Sequence, residues 1–564
     1  MIRLPKYFNG DSRSVRRRLD IIFLFLSLVF GLIQIYVCRY QLNPDAMDYL
    51  DIARQLASGN WAAIANGYWG TMISVLLAPM CVFHPSPASE LPLAHLHGVA
   101  ILISAFFSFR WFLHTLLDCR TAGCKDKTAE DGTDQEGPPE WALCLLGYSL
   151  FLWTTLLVVS VAAIGSDLLV AVFVYLAAAA LLRLQPEAPL RSFLLFGLIL
   201  GVGYWVKAIM FPVAFAFLLV SIIRTPGWKK NLASVMAFAI VAAPLVLALS
   251  IPRGRLTFGD SGKLNYATFV SPGGRVINWQ GVPPASGVPK HPTRKIAGAV
   301  PIYEFNGPIP GTYPPSYDPS YWNEGHKATF NLRSQLKILA QHTSTVVYLL
   351  LLAQPSLTAG FLFLLFWSPG GFLRNFRRSW YLPAISAAII GLYMLVHFET
   401  RFAAAFVVLI WLPAFLALPI PTDKLSQQTA GLSIASSVAV ILLLLTSDIA
   451  KEVTNGCNDS AIADVTVAQQ LNLAPGTPVA VVGPGNFAYW AHLSQVRIVA
   501  DIMETEEAAF WSLPAAKRRE LYASFRTTGA QWLVAQPPTV LLDSLDDGWK
   551  QIGTTTYYRY RLQE

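Results

Sequence analysis

Long apolar runs recur along most of the sequence, from Ile21 to about residue 448, and they constrain the fold more than any other feature. About 20 predominantly apolar residues in an α-helix are enough to cross the hydrocarbon core of a bilayer. Of the 564 residues, 54% are hydrophobic and only 13% are charged, which excludes an ordinary soluble protein. The pattern therefore predicts a polytopic α-helical membrane protein.

The apolar runs predict eleven membrane spans. One run, 192–223, is too long for a single span, because 1.5 Å per residue gives about 48 Å against a bilayer core of about 30 Å. It carries Lys207 near its middle, so we predict that it breaks there into two short helices. The other nine spans are predicted at about 21–38, 93–117, 141–161, 166–184, 231–251, 343–366, 380–397, 401–419 and 430–448.

Basic residues set the predicted orientation of these spans. Short cytoplasmic loops of membrane proteins are rich in lysine and arginine, and three arginines at 16–18 precede the first span. The N-terminus is therefore predicted to be cytoplasmic in a multi-pass plasma (inner) membrane protein. The segments 39–92, 252–340 and 455–564 are then predicted to lie outside. The net charge of +8 is explained by these loops and does not indicate binding of nucleic acid.

The C-terminal part of the chain differs in character from the predicted transmembrane domain, residues 1–450. Within 451–564, three short runs rich in valine and other apolar residues, at 479–482, 496–499 and 532–534, are typical of buried strands, with helical stretches between them. The alternation of the two element types predicts a small extracytoplasmic α/β domain. Gly483-Pro484-Gly485 lacks the third glycine of a dinucleotide-binding fingerprint, so this domain is not predicted to bind a nucleotide.

The outer segment 252–340 is too long and too aromatic for a simple linker. It contains twelve prolines, and its length without a predicted helix is typical of a functional loop. We predict that it is an ordered functional loop rich in aromatic residues. These residues are Trp279, Tyr303, Tyr313, Tyr317, Tyr321 and Trp322.

A polar stretch, Asn43 to Ala53, follows the first span directly. Its apolar residues recur with the spacing of one helical face, which predicts an amphipathic helix lying flat on the membrane surface. Asp45 and Asp48 are one turn apart and can point the same way. Asp45 follows a proline and is also a suitable helix N-cap, so capping and a functional role both stay open.

Charged residues gather at the predicted outer ends of the spans. Charge near a bilayer is costly unless it is paired or used, so each of these residues is a functional candidate. As for Asp45, structural roles remain open for others of the set: Asp167 as a helix cap, Lys207 reaching toward the surface, and Glu399 with Arg401 as an ion pair. The full set is Asp45, Asp48, Asp167, Lys207, His397, Glu399 and Arg401.

An ordered set of these motifs resembles the GT-C superfamily of membrane glycosyltransferases, which includes protein O-mannosyltransferases and lipid A aminoarabinose transferases. The resemblance covers most of residues 20–420. It is carried by the acidic motif Pro44-Asp45-Ala46-Met47-Asp48-Tyr49-Leu50, by 59–61 and 66–69, by Ser166-Asp167-Leu168-Leu169, by Gly197 to Lys207, and by His397-Phe398-Glu399-Thr400-Arg401-Phe402.

The resemblance implies a transferase that uses a polyprenyl-phosphate-linked sugar on the outer face of the membrane. Asp45 is then the expected base, with Asp48 as the second catalytic carboxylate in support of it. Lys207 and Arg401 are expected to hold the donor phosphate, with further support from Asp167, His397 and Glu399. The acceptor is a glycan, a lipid or a protein, and the cofactor is unknown, with a divalent cation (Mg²⁺ or Mn²⁺) at Asp45 left open.

Two other function classes remain open at this stage. A transporter or flippase of lipid-linked sugar is one, although transporters tend to show internal repeats and charges at the bilayer midplane. An inactive relative with a role in assembly is the other, because Ala46 and Phe402 differ from the usual family motifs. The six cysteines form no Cys-x-x-Cys pair, so neither a zinc site nor a disulfide framework is predicted.

Overall fold

The structure is a computed structural model. Trp279, Tyr321 and Trp322 of the predicted outer segment 252–340, and also residues 126–136, lie outside the described residues. Those described are 12–125, 137–272, 293–296, 298–305, 311–318, 328–368, 370–457, 461–545 and 548–562.

Helices dominate the described part of the first 455 residues, and the strands that the structure describes fall in two stretches of the chain. The helices are α1 (Ser12–Val37), α2 (Pro44–Ala57), α3 (Thr71–Val82), α4 (Pro87–Lys125), α5 (Glu140–Trp153), α6 (Asp167–Arg183), α7 (Leu190–Tyr204), α8 (Met210–Arg224), α9 (Trp228–Arg253), α10 (Ser261–Phe269), α11 (Pro314–Tyr317), α12 (Leu332–Val347), α13 (Pro355–Trp367), α14 (Phe372–Phe376), α15 (Tyr381–Met394), α16 (Thr400–Leu416), α17 (Lys424–Asn455), α18 (Ala461–Leu471), α19 (Tyr489–Leu493), α20 (Glu504–Ser512) and α21 (Ala515–Arg526). The strands are β1 (Thr293–Ile296), β2 (Ile302–Phe305), β3 (Pro478–Val482), β4 (Arg497–Ile502), β5 (Trp532–Ala535), β6 (Trp549–Gln551) and β7 (Tyr558–Arg561).

The chain divides into two compact units. Unit one takes the residues up to Val37, then His95–Phe258 and Leu336–Gly456. Unit two takes Cys38–Ala94, Gly259–Gln335 and the chain from Cys457 onward. The three segments of unit two nearly coincide with the three segments that the arginine pattern predicts to lie outside.

The apolar helices make the chain a multi-pass membrane protein. Each of the eleven predicted spans contains a helix or a bent pair of helices. The bent pair, Leu332–Leu352 and Pro355–Trp367, turns by 68° at its break and would count as a single span. Within the described ranges, five helices are individually long and apolar enough to cross a membrane: Arg13–Val37, Pro87–Arg120, Glu140–Val159, Trp228–Arg253 and Lys424–Asn455.

The predicted break at Lys207 is confirmed, because α7 ends at Tyr204 and α8 begins at Met210. Gly201 and Gly203 lower the helix propensity at the end of α7. Pro212 falls in the first turn of α8, where the missing N–H would have had no partner within the helix. The break therefore leaves Lys207 in a short turn between two apolar helices.

Two glycines set how closely α7 lies against α9. A Cβ atom added at Gly197 would lie 2.1 Å from the carbonyl oxygen of Ser234, and one added at Gly201 would lie 2.6 Å from Cβ of Val241. Small residues four apart allow two membrane helices to approach this closely. Packing against α9 thus fixes the helix that leads into the Lys207 turn.

Unit two contains a seven-stranded mixed sheet of order β1-β2-β4-β3-β5-β7-β6. The three strands predicted in the C-terminal region are confirmed, and they form the parallel centre β4-β3-β5. Alternate residues of β3 point to opposite faces, as the pleat of a strand requires. Val479 and Val481 join one hydrophobic core, and Ala480 and Val482 join the core on the other face.

The sheet also includes two strands from the predicted outer segment 252–340. The sequence did not predict this pairing. Strand β2 pairs antiparallel with β4, through Tyr303 opposite Asp501 and Glu304 opposite Ala500, and β1 pairs with β2 at the edge. The described parts of the loop are therefore ordered, and they belong to the same sheet as the C-terminal strands.

The prediction for helix α2 is wrong in one respect. The helix exists, but it does not present a polar face to water, because every residue from Ala46 to Ala53 is buried. Its Met47 belongs to the hydrophobic core that covers one face of the sheet, together with Val479 and Val481. The apolar spacing therefore reflects packing inside unit two and not contact with a membrane surface.

A disulfide joins Cys38 to Cys457, with the two Cα atoms 5.0 Å apart. The sequence did not predict a disulfide, and that prediction is wrong for this pair. Its partners are 419 residues apart, so no local spacing could reveal them. Disulfides persist in oxidising compartments, and this bond favours the prediction that unit two lies outside the cytoplasm.

The predicted topology can be tested by labelling with a membrane-impermeant maleimide in a variant whose free cysteines are replaced by serine. Val540→Cys, on an exposed residue of unit two, should react in intact cells or spheroplasts. Arg377→Cys, on the predicted cytoplasmic side, should react only after the membrane is opened. The opposite pattern at both positions would invert the topology.

Candidate active site

Three of the predicted residues lie at the N-terminal ends of apolar helices in unit one. Asp167 is the first residue of α6, Lys207 lies three residues before α8, and Arg401 is the second residue of α16. Ser166 is the residue before α6, and no side-chain cap hydrogen bond is made there, so capping does not explain Asp167. Helix N-termini carry free N–H groups and a positive dipole, which favour an anion.

The carboxylate of Asp167 brings the two cations together. Nζ of Lys207 donates a hydrogen bond of 2.6 Å to its Oδ1, and Nη1 of Arg401 lies 3.5 Å from its Oδ2. The Asp167 side chain is only 7% exposed, and those of Lys207 and Arg401 are 23% and 24% exposed. All three side chains are thus mostly buried, and the two cations keep a small exposed fraction through which a ligand can reach them.

A second carboxylate, Glu399, orients Arg401 from the turn that precedes α16. Nε of Arg401 donates to its Oε2 at 2.7 Å, and Nε2 of His397 lies 2.9 Å from its Oε1. Burial raises the pKa of Glu399, but the hydrogen bonds and charges of His397 and Arg401 outweigh burial and lower the pKa to about 2. Glu399 is therefore an anion at neutral pH and holds the guanidinium in place.

An aromatic ring supports both cations. Nζ of Lys207 lies 4.2 Å from the centre of the Phe402 ring, and the guanidinium carbon of Arg401 lies 5.3 Å from it. Cations at such distances from a ring face are attracted by its quadrupole. Tyr393 also stacks on Phe402, with ring centres 4.9 Å apart. Phe402 thus provides a hydrophobic support for the pair without using any of its donors.

This arrangement can bind a phosphate. Lysine has three N–H donors and arginine has five, more than the contacts to Asp167 and Glu399 use. The formal charges of Lys207 and Arg401 balance those of the two carboxylates, so the helix dipoles leave the site with a positive bias. An incoming phosphate can take over the contacts that Asp167 now makes.

Asp45 and Asp48 belong to unit two, where α2 gives them different surroundings. The residue before α2 is Asn43, and the helix begins at Pro44, so Asp45 is a first-turn residue and not the N-cap. A carboxylate in the first turn is stabilised by the helix dipole. The side chain of Asp45 is half-buried, which leaves its carboxylate partly accessible.

Asp48 is buried, with only 1% of its surface exposed. Its Oδ2 accepts a 2.5 Å hydrogen bond from the Ser316 hydroxyl, whereas Oδ1 contacts no hydrogen-bond partner within the described residues. Burial raises the pKa of Asp48 well above its ordinary value, and the nearby charges of Asp51 and Asp45 add to the effect. Burial therefore favours the neutral acid at Asp48, and this does not suit the group to act as a base.

A buried chain of charged groups continues from α2, and the sequence did not predict it. His492 is fully buried between two carboxylates: its Nδ1 lies 2.5 Å from Oδ1 of Asp51, and its Nε2 lies 2.6 Å from Oε1 of Glu90. Arg54 binds the other oxygen of Glu90 and the carbonyl oxygen of His492. Asp51 also accepts two hydrogen bonds from Thr312, at 2.6 and 2.9 Å.

Of these buried charged groups, only Asp51 could have been recognised from the sequence. Asp51 follows Asp48 by one turn and could have been added to the acidic motif. His492 is 441 residues from Asp51 and 402 from Glu90, so no local pattern connects them. These charged groups come together because four segments meet inside unit two: α2, the first turn of α4, α19 and the predicted outer segment 252–340.

A cavity of about 680 Å³ in unit two borders the buried charges. Asp51 and Arg54 form part of its wall, beside the polar groups of Gln55, Thr312 and Gln495. The volume is in the range of small-molecule pockets. Since His492 holds Asp51 in place, it also shapes this wall.

The possible cation at Asp45 finds no fitting set of ligands in the part of the chain that the structure describes. Neither Asp45 nor Asp48 belongs there to a group of three carboxylate, imidazole or thiol ligands within 4.8 Å of one another. Magnesium and manganese are held by several oxygen ligands. No step of the chemistry is therefore assigned to a metal.

Comparison with known proteins finds similar solved structures but no matching protein family. No protein-family profile matches the sequence, and no curated protein matches it either. The chain is similar to the crystal structure of ArnT from Cupriavidus metallidurans bound to undecaprenyl phosphate, at 13% identity and a TM-score of 0.44, over 96% of this chain and 98% of that one. It is also similar to the apo structure of the same protein, at 12% identity and a TM-score of 0.41, over 96% and 97%.

The buried histidine predicts a pH dependence of stability. Burial and the charge of Arg54 lower the pKa of His492, but the carboxylates of Glu90 and Asp51 outweigh them and raise it. A raised pKa contributes stability that is complete below the ordinary value of about 6.5 and is lost as pH rises through the folded value. The melting midpoint of the purified protein should therefore fall as pH rises above about 6.5.

His492→Gln should remove this dependence and lower the free energy of unfolding by about 3–5 kcal/mol, because two buried carboxylates lose their shared cation. His84→Gln, at an exposed histidine of the same unit, is the matched control and should change little. Scanning fluorimetry from pH 5 to 9 measures both. An unchanged pH profile in His492→Gln would show that the stability depends on other groups.

Proposed function

We propose that this protein is a glycosyltransferase of the GT-C type, which moves a sugar from a polyprenyl-phosphate donor to an acceptor hydroxyl on the outer face of the membrane. One observation supports the proposal most directly: Lys207 and Arg401 converge on the carboxylate of Asp167 at the ends of apolar helices. Two cations held together at the ends of apolar helices suit a phosphate whose lipid tail lies among the helices.

The reaction breaks the bond between the anomeric carbon and the phosphate oxygen and forms a bond to the acceptor oxygen. Negative charge grows on the leaving polyprenyl phosphate. Lys207 and Arg401 stabilise this charge, because fixed donors in a partly dry site need no reorganisation during the reaction. Glu399 and His397 keep Arg401 in the orientation that the phosphate requires, and Asp167 holds the cations together before the donor binds.

The acceptor hydroxyl must lose a proton, and we assign Asp45 as the base. Its first-turn position and partial exposure favour an ionised and reachable carboxylate. Asp48 is assigned a supporting role, since its burial and the nearby charges of Asp51 and Asp45 favour the neutral acid more than the hydrogen bond from Ser316 favours the anion. The environment of each carboxyl group thus separates the two roles.

Donor binding can be tested with purified protein and a polyprenyl phosphate. Lys207→Met and Arg401→Met should each weaken binding by about tenfold to a hundredfold, the usual range for losing a charged hydrogen bond. Lys424→Met, at an exposed lysine in the first turn of α17, is the control and should bind normally. Unchanged affinity in both site variants would remove the phosphate assignment.

Catalysis can be tested by transfer from a panel of radiolabelled polyprenyl-phosphate sugars. Asp45→Asn should lower turnover by at least about a hundredfold, the lower end for losing a general base, while the melting midpoint stays unchanged. Asp48→Asn should cost less, because asparagine resembles the neutral acid. Transfer by Asp45→Asn near the wild-type rate would exclude Asp45 as the base, and a dead Asp48→Asn would exchange the two roles. Wild-type protein that moves the lipid-linked sugars across vesicle membranes without transferring them would be a flippase.

A further inference from the structure

A second cavity of about 680 Å³ lies within unit one, at the end of α6 opposite to Asp167. Its wall combines the end of α6, the start of α7 and Trp111 of α4. Arg183 is the last residue of α6 and Arg191 is the second residue of α7, so two arginines face the same space. The volume again suits a small-molecule ligand.

Both arginines have uncommitted donors. In the described ranges, neither Arg183 nor Arg191 makes a hydrogen bond or an ion pair, and both side chains are exposed. A guanidinium offers a planar fork of donors that matches a phosphate. By contrast, Arg54 at the unit-two cavity is committed to Glu90 and to a backbone carbonyl. The free donors therefore indicate an anionic ligand here.

The loop between α6 and α7 is held in place by a third cation. Nζ of Lys230 donates hydrogen bonds to the carbonyl oxygens of Pro186 and Ala188, at 2.7 and 2.8 Å. Glu187 contributes one negative charge to the cavity wall. The three cations and the single carboxylate around the cavity therefore give a net positive charge. The N-terminus of α7 adds the positive end of its dipole.

An apolar stripe continues from the cavity along α7. Leu194, Leu195 and Leu198 are all exposed, and with Arg191 they follow the i, i+3, i+4, i+7 spacing of a single helical face. A ligand that binds both parts has a phosphate at Arg191 and hydrocarbon along the leucines. Trp111 beside the cavity suits the headgroup level of a bilayer, where indole rings concentrate.

We propose that this cavity binds the phosphodiester headgroup of an anionic glycerophospholipid, whose acyl chains lie along the leucine stripe of α7. The predicted topology places Arg183 and Arg191 at the cytoplasmic ends of their helices. Anionic lipids concentrate in that leaflet, and basic pockets between helices are typical sites for their headgroups. The site is separate from the proposed glycosyl transfer and does not depend on it.

The proposal can be tested by native mass spectrometry of the full-length protein in detergent, titrated with phosphatidylglycerol. Arg183→Gln/Arg191→Gln should weaken binding of the first lipid at least tenfold. Arg377→Gln/Arg378→Gln is the matched control, because it removes the same charge from exposed arginines on the predicted cytoplasmic side. The control should stay within twofold of wild type, and both variants should melt at the wild-type temperature because all four residues are exposed.

Two further measurements identify the ligand class. Phosphatidylcholine should bind at least tenfold more weakly than phosphatidylglycerol, and Leu195→Ser should weaken phosphatidylglycerol binding. Equal losses in the two arginine double variants, or equal binding of the two lipids, would overturn the proposal. Displacement of phosphatidylglycerol by inorganic phosphate at comparable concentration would also overturn it, since the cavity would then take a free anion.

Discussion

The carboxylate of Asp167 is the contact on which the arrangement of unit one depends. Lys207 and Arg401 are each about three-quarters buried, and two cations that close to hydrocarbon would repel each other without a shared anion. Asp167 neutralises them and so brings the ends of α6, α8 and α16 together. In the proposed function, the same pairing keeps the cations ready for a phosphate, because the phosphate would replace the contact with Asp167 instead of adding an unpaired charge to an apolar environment.

In unit two, a histidine lies between two buried carboxylates and compensates their charge. Asp51 and Glu90 are both buried, and neither would be stable as an isolated anion there. His492 lies between them and Arg54 binds Glu90, so each of these four charged groups contacts a group of opposite charge. Removing a member of such a chain is costly, because the remaining charge cannot reach water. The chain thereby fixes α2, the helix that carries the proposed base.

The two carboxyl groups of α2 show how environment separates residues that look alike in sequence. Asp45 and Asp48 are three positions apart, yet one lies in the first turn with partial access to water and the other is enclosed beside Ser316. Burial penalises the ionised form, so Asp48 is suited to donating or holding a proton. The sequence motif identifies the pair, and only the surroundings distinguish the acid from the candidate base.

The sequence by itself determined the apolar helices, the break at Lys207, the three central strands and five of the residues that gather around Asp167 and Glu399. These follow from composition and local spacing, because helix length, glycine and proline positions and the cost of charge near a bilayer act over a few residues. The tertiary structure alone decided the pairing of Cys38 with Cys457, the entry of β1 and β2 into the sheet, the burial of α2 and the link from Asp51 through His492 to Glu90. Each of these joins residues that are far apart in the chain, and such contacts depend on which surfaces exclude water together, which no local pattern encodes.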